Sequence, residues 1–373
     1  MVAAAPITTP APFEFTGDGA EYFRIWVINL LLTLATLGIY SAWAKVRKAR
    51  YFWQNTRLAG HPFDFHGRPA AILRGRILVV VMLLAYSWSF QFSLAAGVVT
   101  LTILGVLAPW LFLKAQQFRL YNTSHRGLRF GFPARLRDAY WMAWPHVLLW
   151  LGLVASSVAV ATSPSTRYAA AFVIFPLLIA VLLPALHHRL KAFQHRNATF
   201  GDQGFGFYSA LGAFYKTYLK ALGVGLLSMA VLAALGTALA LALSRWHATP
   251  AVASVAFAML GSTVYMFIWP YMSVRLQQVV WRHTHADRVS FDTTIGVWGL
   301  MRLVGKCVAL TILTAGLYWP FAAVALARYR ITNMRMSTVA PLESVDAGAD
   351  IRHRSAIGYE AADGFGFGFD IGL

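Results

Sequence analysis

Long apolar stretches alternate with short basic and aromatic ones along this chain. Runs free of Asp, Glu, Lys and Arg cover 77–113, 139–166, 168–188, 221–244, 246–274 and 307–327, and Lys45 alone interrupts another over 25–46. Each reaches or approaches the roughly 20 residues that a membrane-crossing helix needs. The 77–113 run is too long for one crossing, and Tyr86-Ser-Trp-Ser-Phe90 near its middle marks the tip of a helical hairpin. Between the apolar runs, His61-Pro-Phe-Asp-Phe-His-Gly67, Arg129-Phe-Gly-Phe132 and Gly201-Asp-Gln-Gly-Phe-Gly-Phe207 alternate in the manner of brief β-strands.

These polar interludes are copies of one another, and self-similarity fixes architecture before any single element does. With Asn55 as origin, the same frame returns at Asn122, Asn197, His283 and Asn333. Thirteen residues earlier stand Ala42, Pro109, Pro184, Pro270 and Pro320; eight earlier stand Arg47, Lys114, Arg189, Arg275 and Ala325. Eight residues after the first four origins stand Phe63, Phe130, Phe205 and Phe291, and Phe65, Phe132 and Phe207 complete Phe-x-Phe pairs. Phe13 and Phe15 form such a pair with no origin before it, so each repeat opens on Phe-x-Phe. Nine residues after the second position of the pair stand Arg24, Arg74, Trp141, Lys216 and Arg302.

The expected fold class is therefore an all-α polytopic membrane protein of five tandem hairpins, with β-like Phe-x-Phe segments on the cytoplasmic side. The repeats fall at about 13–62, 63–129, 130–204, 205–290 and 291–336. Residues 1–12 are expected to be disordered, and 337–373 to form an acidic, Gly-rich cytoplasmic tail. Its closing Gly364-Phe-Gly-Phe-Gly-Phe-Asp370 either adds a strand beside Phe13–Phe15 or stays disordered.

From the second Phe-x-Phe position to the Pro site the distances are 27, 44, 52, 63 and 27 residues. At 1.5 Å per residue, two arms of about 16 residues reach about 24 Å, short of the roughly 30 Å hydrocarbon core. The first and last hairpins are expected to be short or re-entrant, with tips at Gly38 and Gly316, packed inside three full hairpins. The alternative is one helix in each outer repeat, Tyr22–Trp43 and Val308–Ala327.

Composition agrees: 58% of the 373 residues are hydrophobic and only 12% charged, against roughly 25% charged in soluble domains. The net charge of +18 suggests nucleic acid or acidic lipid until its placement is considered. Of 32 Lys and Arg, only Arg167 and Arg245 fall in the alternate connections near 90–94, 163–167 and 244–250. By the positive-inside rule the other side is cytoplasmic, so the charge reports topology and no nucleic-acid partner is expected. The partner it does suggest is the bilayer, with anionic headgroups on the cytoplasmic face. The first helix serves as targeting signal, and the single Cys307 rules out an internal disulfide.

Phe13-x-Phe-x-Gly17, Glu21-Tyr-Phe23, Ile25-Trp26, Asn29, Thr36-Leu-Gly-Ile-Tyr40, Trp43-Ala-Lys-Val-Arg47, Arg50-Tyr-Phe52 and Asn55-Thr56 together carry a resemblance. In them, and along nearly its whole length, the chain resembles the YjgN-like bacterial inner-membrane proteins, a family of unknown function. It departs at Ala42, where a Pro is expected. The resemblance implies an inner-membrane location and no known activity.

All fourteen Asp and Glu lie in connections or termini, which argues against cation-coupled transport through a buried carboxylate. Arg47, Lys114, Arg189 and Arg275 either converge as an anion- or lipid-binding ring or snorkel toward headgroups. The same two readings apply to Arg24, Arg74, Lys216 and Arg302, and Lys306 joins Arg302 in a short arm. Asn55, Asn122, Asn197 and Asn333 are helix-ending residues, where Asn tolerates left-handed geometry and bonds free backbone groups. Pro109, Pro184, Pro270 and Pro320 are expected to bend the second helix of each hairpin. No catalytic motif, cofactor site or metal site is expected: there is no Gly-x-Ser-x-Gly, Walker motif or dinucleotide fingerprint. The functional expectation is a channel or carrier for an anionic or lipid-like solute. The alternative is a non-transport scaffold, a docking platform for lipids or envelope-assembly partners.

Overall fold

The computed structural model describes residues 9–338, except 164, 246–249 and 287–288. Ten helices and ten strands are found among them. The first two repeats contain β1 (Thr9–Phe15), α1 (Gly19–Ala35), α2 (Ser41–Gln54), β2 (Thr56–Leu58), β3 (His61–Phe65), α3 (Pro69–Phe92), α4 (Leu94–Tyr121) and β4 (Thr123–His125). The third and fourth add β5 (Leu128–Gly131), α5 (Leu136–Thr162), α6 (Thr166–Arg196), β6 (Thr199–Phe200), β7 (Gln203–Phe207), α7 (Leu211–Arg245), α8 (Pro250–His283) and β8 (Thr284–Ala286). The fifth closes with β9 (Val289–Thr293), α9 (Val297–Leu313), α10 (Trp319–Thr332) and β10 (Met334–Thr338).

The all-α expectation needs correction, because the strands form a closed barrel of ten. Each strand pairs antiparallel with its neighbours in sequence, and β10 closes on β1 through Thr9↔Thr338 to Pro12↔Arg335. Closure leaves no unpaired edge, which strands this short need. Within β1, Phe13–Phe15 pairs with β2 and Thr9–Pro12 with β10. Thr9–Pro12 and Ser337–Thr338 belong to strands, while 1–8 and the tail from 339 lie outside the described residues.

At one end of the barrel, neighbouring strands are joined by tight turns, with positive φ at Ala59 and Gly60 and at Arg126 and Gly127. At the other end every turn is replaced by two helices. The first helix of each pair starts four residues past the second Phe-x-Phe position, at Gly19, Pro69, Leu136, Leu211 and Val297. Helix length therefore measures reach from a common rim. The chain breaks at 36–40 and again at 314–318, so each outer repeat holds two helices of 17 and 14 residues. The inner helices have 24 and 28, 27 and 31, then 35 and 34 residues. At 1.5 Å per residue the outer pairs reach about 21–26 Å and the inner ones about 36–53 Å.

The short hairpins do not pack inside the long ones. Contacts run α2 to α3, α4 to α5, α6 to α7, α8 to α9 and α10 back to α1, so the five hairpins form a ring with the two short ones adjacent. The barrel sets this order, since each hairpin emerges between two strands and β10 neighbours β1. Among the described residues, α3 to α7 are long and apolar enough to cross a membrane. Their outward residues, such as Leu83, Val181 and Leu227, are exposed, as a lipid-facing surface requires.

Two side chains on one strand separated by one residue point to the same face. Phe-x-Phe thus puts two rings inside the barrel. Phe13 and Phe63 stack at 6.4 Å, and Phe63 and Phe130 at 6.2 Å. One step toward the helices, Phe15 meets Phe52 at 5.9 Å and Phe132 meets Phe193 at 5.6 Å. Phe132→Ala, at a fully buried ring, is expected to cost about 3–5 kcal/mol. Phe92→Ala, at a ring 83% exposed on a hairpin tip, is expected to stay within about 0.5 kcal/mol. Unfolding in detergent, followed by loss of helical circular dichroism, measures both.

Candidate functional site

The rim where strands meet helices is built alike in every repeat. Asn55, Asn122, Asn197 and Asn333 each donate from Nδ2 to the carbonyl four residues back, at 2.9, 2.7, 2.8 and 2.7 Å. His283 in the same frame places Nδ1 2.7 Å from the Val279 carbonyl. All four Asn are helix C-caps with φ between −88° and −101°. The side chain therefore serves as expected, but the left-handed geometry is absent because the chain turns directly into a strand. Pro109, Pro184 and Pro270 lie inside helices, whereas Pro320 is the second residue of α10. Helix-borne donors then hold the end of a strand in the next repeat or the link that follows it. Arg50 Nε reaches the Phe65 carbonyl at 3.2 Å, Gln117 Nε2 the Ala134 carbonyl at 3.1 Å, and Arg328 the Gly17 carbonyl at 2.7 Å.

The equivalent cations do not meet in one ring. Arg47 donates to Asn29 Oδ1 at 3.4 Å. Arg189 donates to the Met142 carbonyl at 2.8 Å and to that of Trp141, with its guanidinium 5.9 Å from the Trp141 and Trp144 rings. Arg275 bonds Gln278 at 3.0 Å and lies over Tyr271. Lys114 borders a separate cleft with Gln117 and Arg135. Arg24, Arg74, Lys216 and Arg302 are exposed on the outer feet of their helices, and Lys306 is exposed nine residues into α9, about 14 Å from the rim.

A different set of cations converges. Between the short hairpins and α3, α4 and α8 lies a chamber of about 740 Å³ bordered by Lys45, Lys48, Arg76, Arg119 and Arg330. No carboxylate is among its lining residues. Asn29, Thr33 and Ser41 add polar groups, and Trp26, Trp53, Trp269 and Trp319 add aromatic surface. Arg330 bonds Ser273 Oγ at 2.5 Å and lies 5.5 Å from the Trp269 ring, while Arg76 donates to Ser41. Counting from the rim at 1.5 Å per residue, Lys45 stands about 14 Å into the helical layer, Arg76 about 10 Å, and Arg119 and Arg330 about 3 Å. Charge at such depth is costly and requires water, a counter-charge or an anionic ligand.

Sequence signals for this set existed. Lys45 alone interrupts the 25–46 apolar run, and Arg119 and Arg330 both stand three residues before an origin Asn. Arg76 occupies the position of Trp26 in the first repeat, so the chamber takes unlike residues from like places.

Beneath the chamber, the barrel encloses a second cavity of about 120 Å³, lined by Phe13, Phe63, Phe130, Phe205 and Phe291, the first aromatic of every repeat. Trp53 and Arg119 border both spaces and form the floor between them. His125, on β4, lies almost fully buried here, its ring 4.5 Å from that of Phe63. Among the described residues, no group of three or more His, Cys, Asp or Glu is placed to hold a metal ion.

Apolar hairpins standing on a ring of short strands define a multi-pass membrane protein whose lipid-facing helices share one base. The chain belongs to the family described as bacterial protein of unknown function (DUF898), whose model matches residues 10–364. It is 34% identical over 128 residues to inner membrane protein YjgN of Salmonella typhimurium, covering 34% of this chain and 32% of that protein. To inner membrane protein YjgN of Escherichia coli O157:H7 and of strain K12 it is 31% identical over 137 residues, covering 35% of this chain and 33% of each relative. These matches thus span about a third of the relatives' length. No solved structure matches. The apolar helices and these relatives agree on a multi-pass protein of the bacterial inner membrane.

Burial above all, with smaller contributions from the nearby Arg126 and His61 and a partial offset from the Pro62 carbonyl, brings the His125 imidazole from 6.5 down to about 4. Between these values the unfolded chain binds the extra proton. The stabilisation is therefore complete above pH 6.5 and is lost as pH falls toward 4, by at most about 3 kcal/mol. His125→Leu is expected to flatten that part of the stability–pH profile, measured by thermal unfolding at a series of pH values against wild type.

Proposed function

We propose that the chain is a non-enzymatic, carrier-like protein that binds an anionic, lipid-like solute in the chamber, with its barrel on the cytoplasmic face. The observation that carries this reading is a substrate-sized space within the helical layer, lined by five cations, from Arg119 and Arg330 near the rim to Lys45 and Arg76 higher up, and by no carboxylate. Such a lining favours an anion, and its four tryptophans offer apolar surface to the rest of the molecule. The Lys and Arg gathered at the barrel end of the helices support that orientation. The phenylalanine-lined barrel below argues against an open pore, since a hydrated ion has no polar path through it. The exposed cations Arg24, Arg74, Lys216, Arg302 and Lys306 are read as headgroup anchors on the outer surface, as are Lys114 and the locally bonded Arg47, Arg189 and Arg275.

A second reading, a docking platform anchored by its hairpins, draws on the sealed barrel and its protruding turns. It predicts no solute in the chamber. Native mass spectrometry of protein offered phosphatidylglycerol and phosphatidylcholine separates the two. Retention of phosphatidylglycerol is expected for wild type and for the Arg24, Arg74, Lys216 and Arg302 variant changed to Gln. Lys45→Gln combined with Arg76→Gln should weaken it roughly thirtyfold, each charge near an anionic headgroup contributing on the order of 1 kcal/mol. Equal retention by both variants would remove the chamber from the account.

The short hairpins are read as ending within the hydrocarbon layer, because about 26 Å of helix falls short of roughly 30 Å. In a Cys307→Ser background, cysteines at Ser93 and Ser165 are expected to react with a membrane-impermeant thiol reagent on whole cells. Cysteines at Ile39 and Leu317 are expected not to.

A further inference from the structure

The chamber runs the full height of the short hairpins. Its lining begins at the rim with Phe52, Trp53 and Phe65 and climbs α1 through Trp26, Asn29 and Leu30 to Thr33, two residues from that helix's end. It also includes Ser41 and Trp319, the first residues of α2 and α10, both immediately after a hairpin tip. The upper mouth therefore lies at the level of the two tips.

On that side the wall stops. Hairpins one and five are neighbours in the ring and reach about 26 Å above the rim, while α3 and α8 beside them reach about 36 and 51 Å. The tips that form the sill are apolar. Leu37 is 95% exposed and Leu313 81%, with Leu34, Ile39, Ile312 and Leu317 also exposed. A water-soluble anion would have to cross this sill from hydrocarbon, where charge is disfavoured. An amphiphile avoids that cost, because its chains stay in lipid while its charged end swings inward. Thr33, Ser41 and Asn29 line the way in, followed by Lys45, Lys48 and Arg76.

We infer that the chamber opens sideways into the bilayer over the two short hairpins and takes the phosphate-bearing headgroup of a membrane lipid, whose acyl chains remain outside across the Leu37 and Leu317 tips. The inference rests on the reading of the chamber as an anion site and adds the source and route of the anion. The shared chemistry is a phosphate ester; the two sources are a lipid entering from the membrane and a soluble phosphate entering from water.

The test uses the full-length chain in lipid nanodiscs, in a Cys307→Ser background, with a bimane fluorophore at Thr33→Cys. A second sample carries bimane at Leu227→Cys, on the exposed outer face of α7. Phosphatidylglycerol and phosphatidylcholine brominated on their acyl chains serve as quenchers. At Leu227 both lipids are expected to quench alike. At Thr33, brominated phosphatidylglycerol is expected to quench at much lower mole fraction than phosphatidylcholine, without relief by inorganic phosphate or glycerol phosphate. Changing Lys45 and Lys48 together to Gln should reduce that preference by roughly thirtyfold, and unchanged Leu227 quenching shows that the variant is folded. Relief by either soluble phosphate would overturn lipid entry while keeping an anion site. Equal quenching by the two lipids at Thr33 would overturn the anion site, and absence of quenching there by either lipid would overturn the lateral route.

Discussion

Hydrogen bonding between β1 and β10 closes ten short strands into a cylinder, and the place of every helix depends on that closure. Strands of two to seven residues are too short to persist alone. Joined in a ring they leave no free edge, and the Phe-x-Phe rings line the interior. Each helical hairpin then emerges between two strands whose positions are already set. The repeated caps at Asn55, Asn122, Asn197, His283 and Asn333 fix where the second helix hands over to its strand.

This arrangement separates two demands that membrane proteins usually meet with the same residues. Packing among apolar helices gains little from the hydrophobic effect in lipid, because the tails are as apolar as the side chains. Here the barrel holds the helices together from one end, through backbone pairing and buried aromatics. The helical layer is thereby free to carry a polar chamber with charge at depth. The two cavities show the division: an aromatic one inside the barrel and a cationic one above it, meeting at Trp53 and Arg119.

Much of this was legible in the chain. The five-fold frame, the short outer hairpins and their Gly38 and Gly316 tips all follow from spacing that survives folding. The barrel was harder to see because four of its strands, such as Thr56–Leu58 and Thr199–Phe200, are too short to show alternation. Its closing pair also joins residues more than 320 positions apart. The chamber escaped for a different reason. Equivalent positions along the repeats point to Arg47, Lys114, Arg189 and Arg275, which the fold leaves apart with different neighbours. Lys45, Lys48 and Arg76 have no counterpart cations in most repeats, so periodicity hides them.

That contrast bears on how a repeat protein acquires a site. Five identical hairpins on a symmetric base would enclose a symmetric space with equal walls, open only along its axis. Unequal hairpins break the equivalence without disturbing the base, because length is added far from the rim and the register of caps and strands is unchanged. Two short neighbours lower one side of the wall, and the cations that converge there come mainly from those two hairpins and the adjacent α3 and α4. Residues shared by all repeats therefore maintain the fold. Residues that break the repeat, together with the differences in hairpin length, shape the chamber.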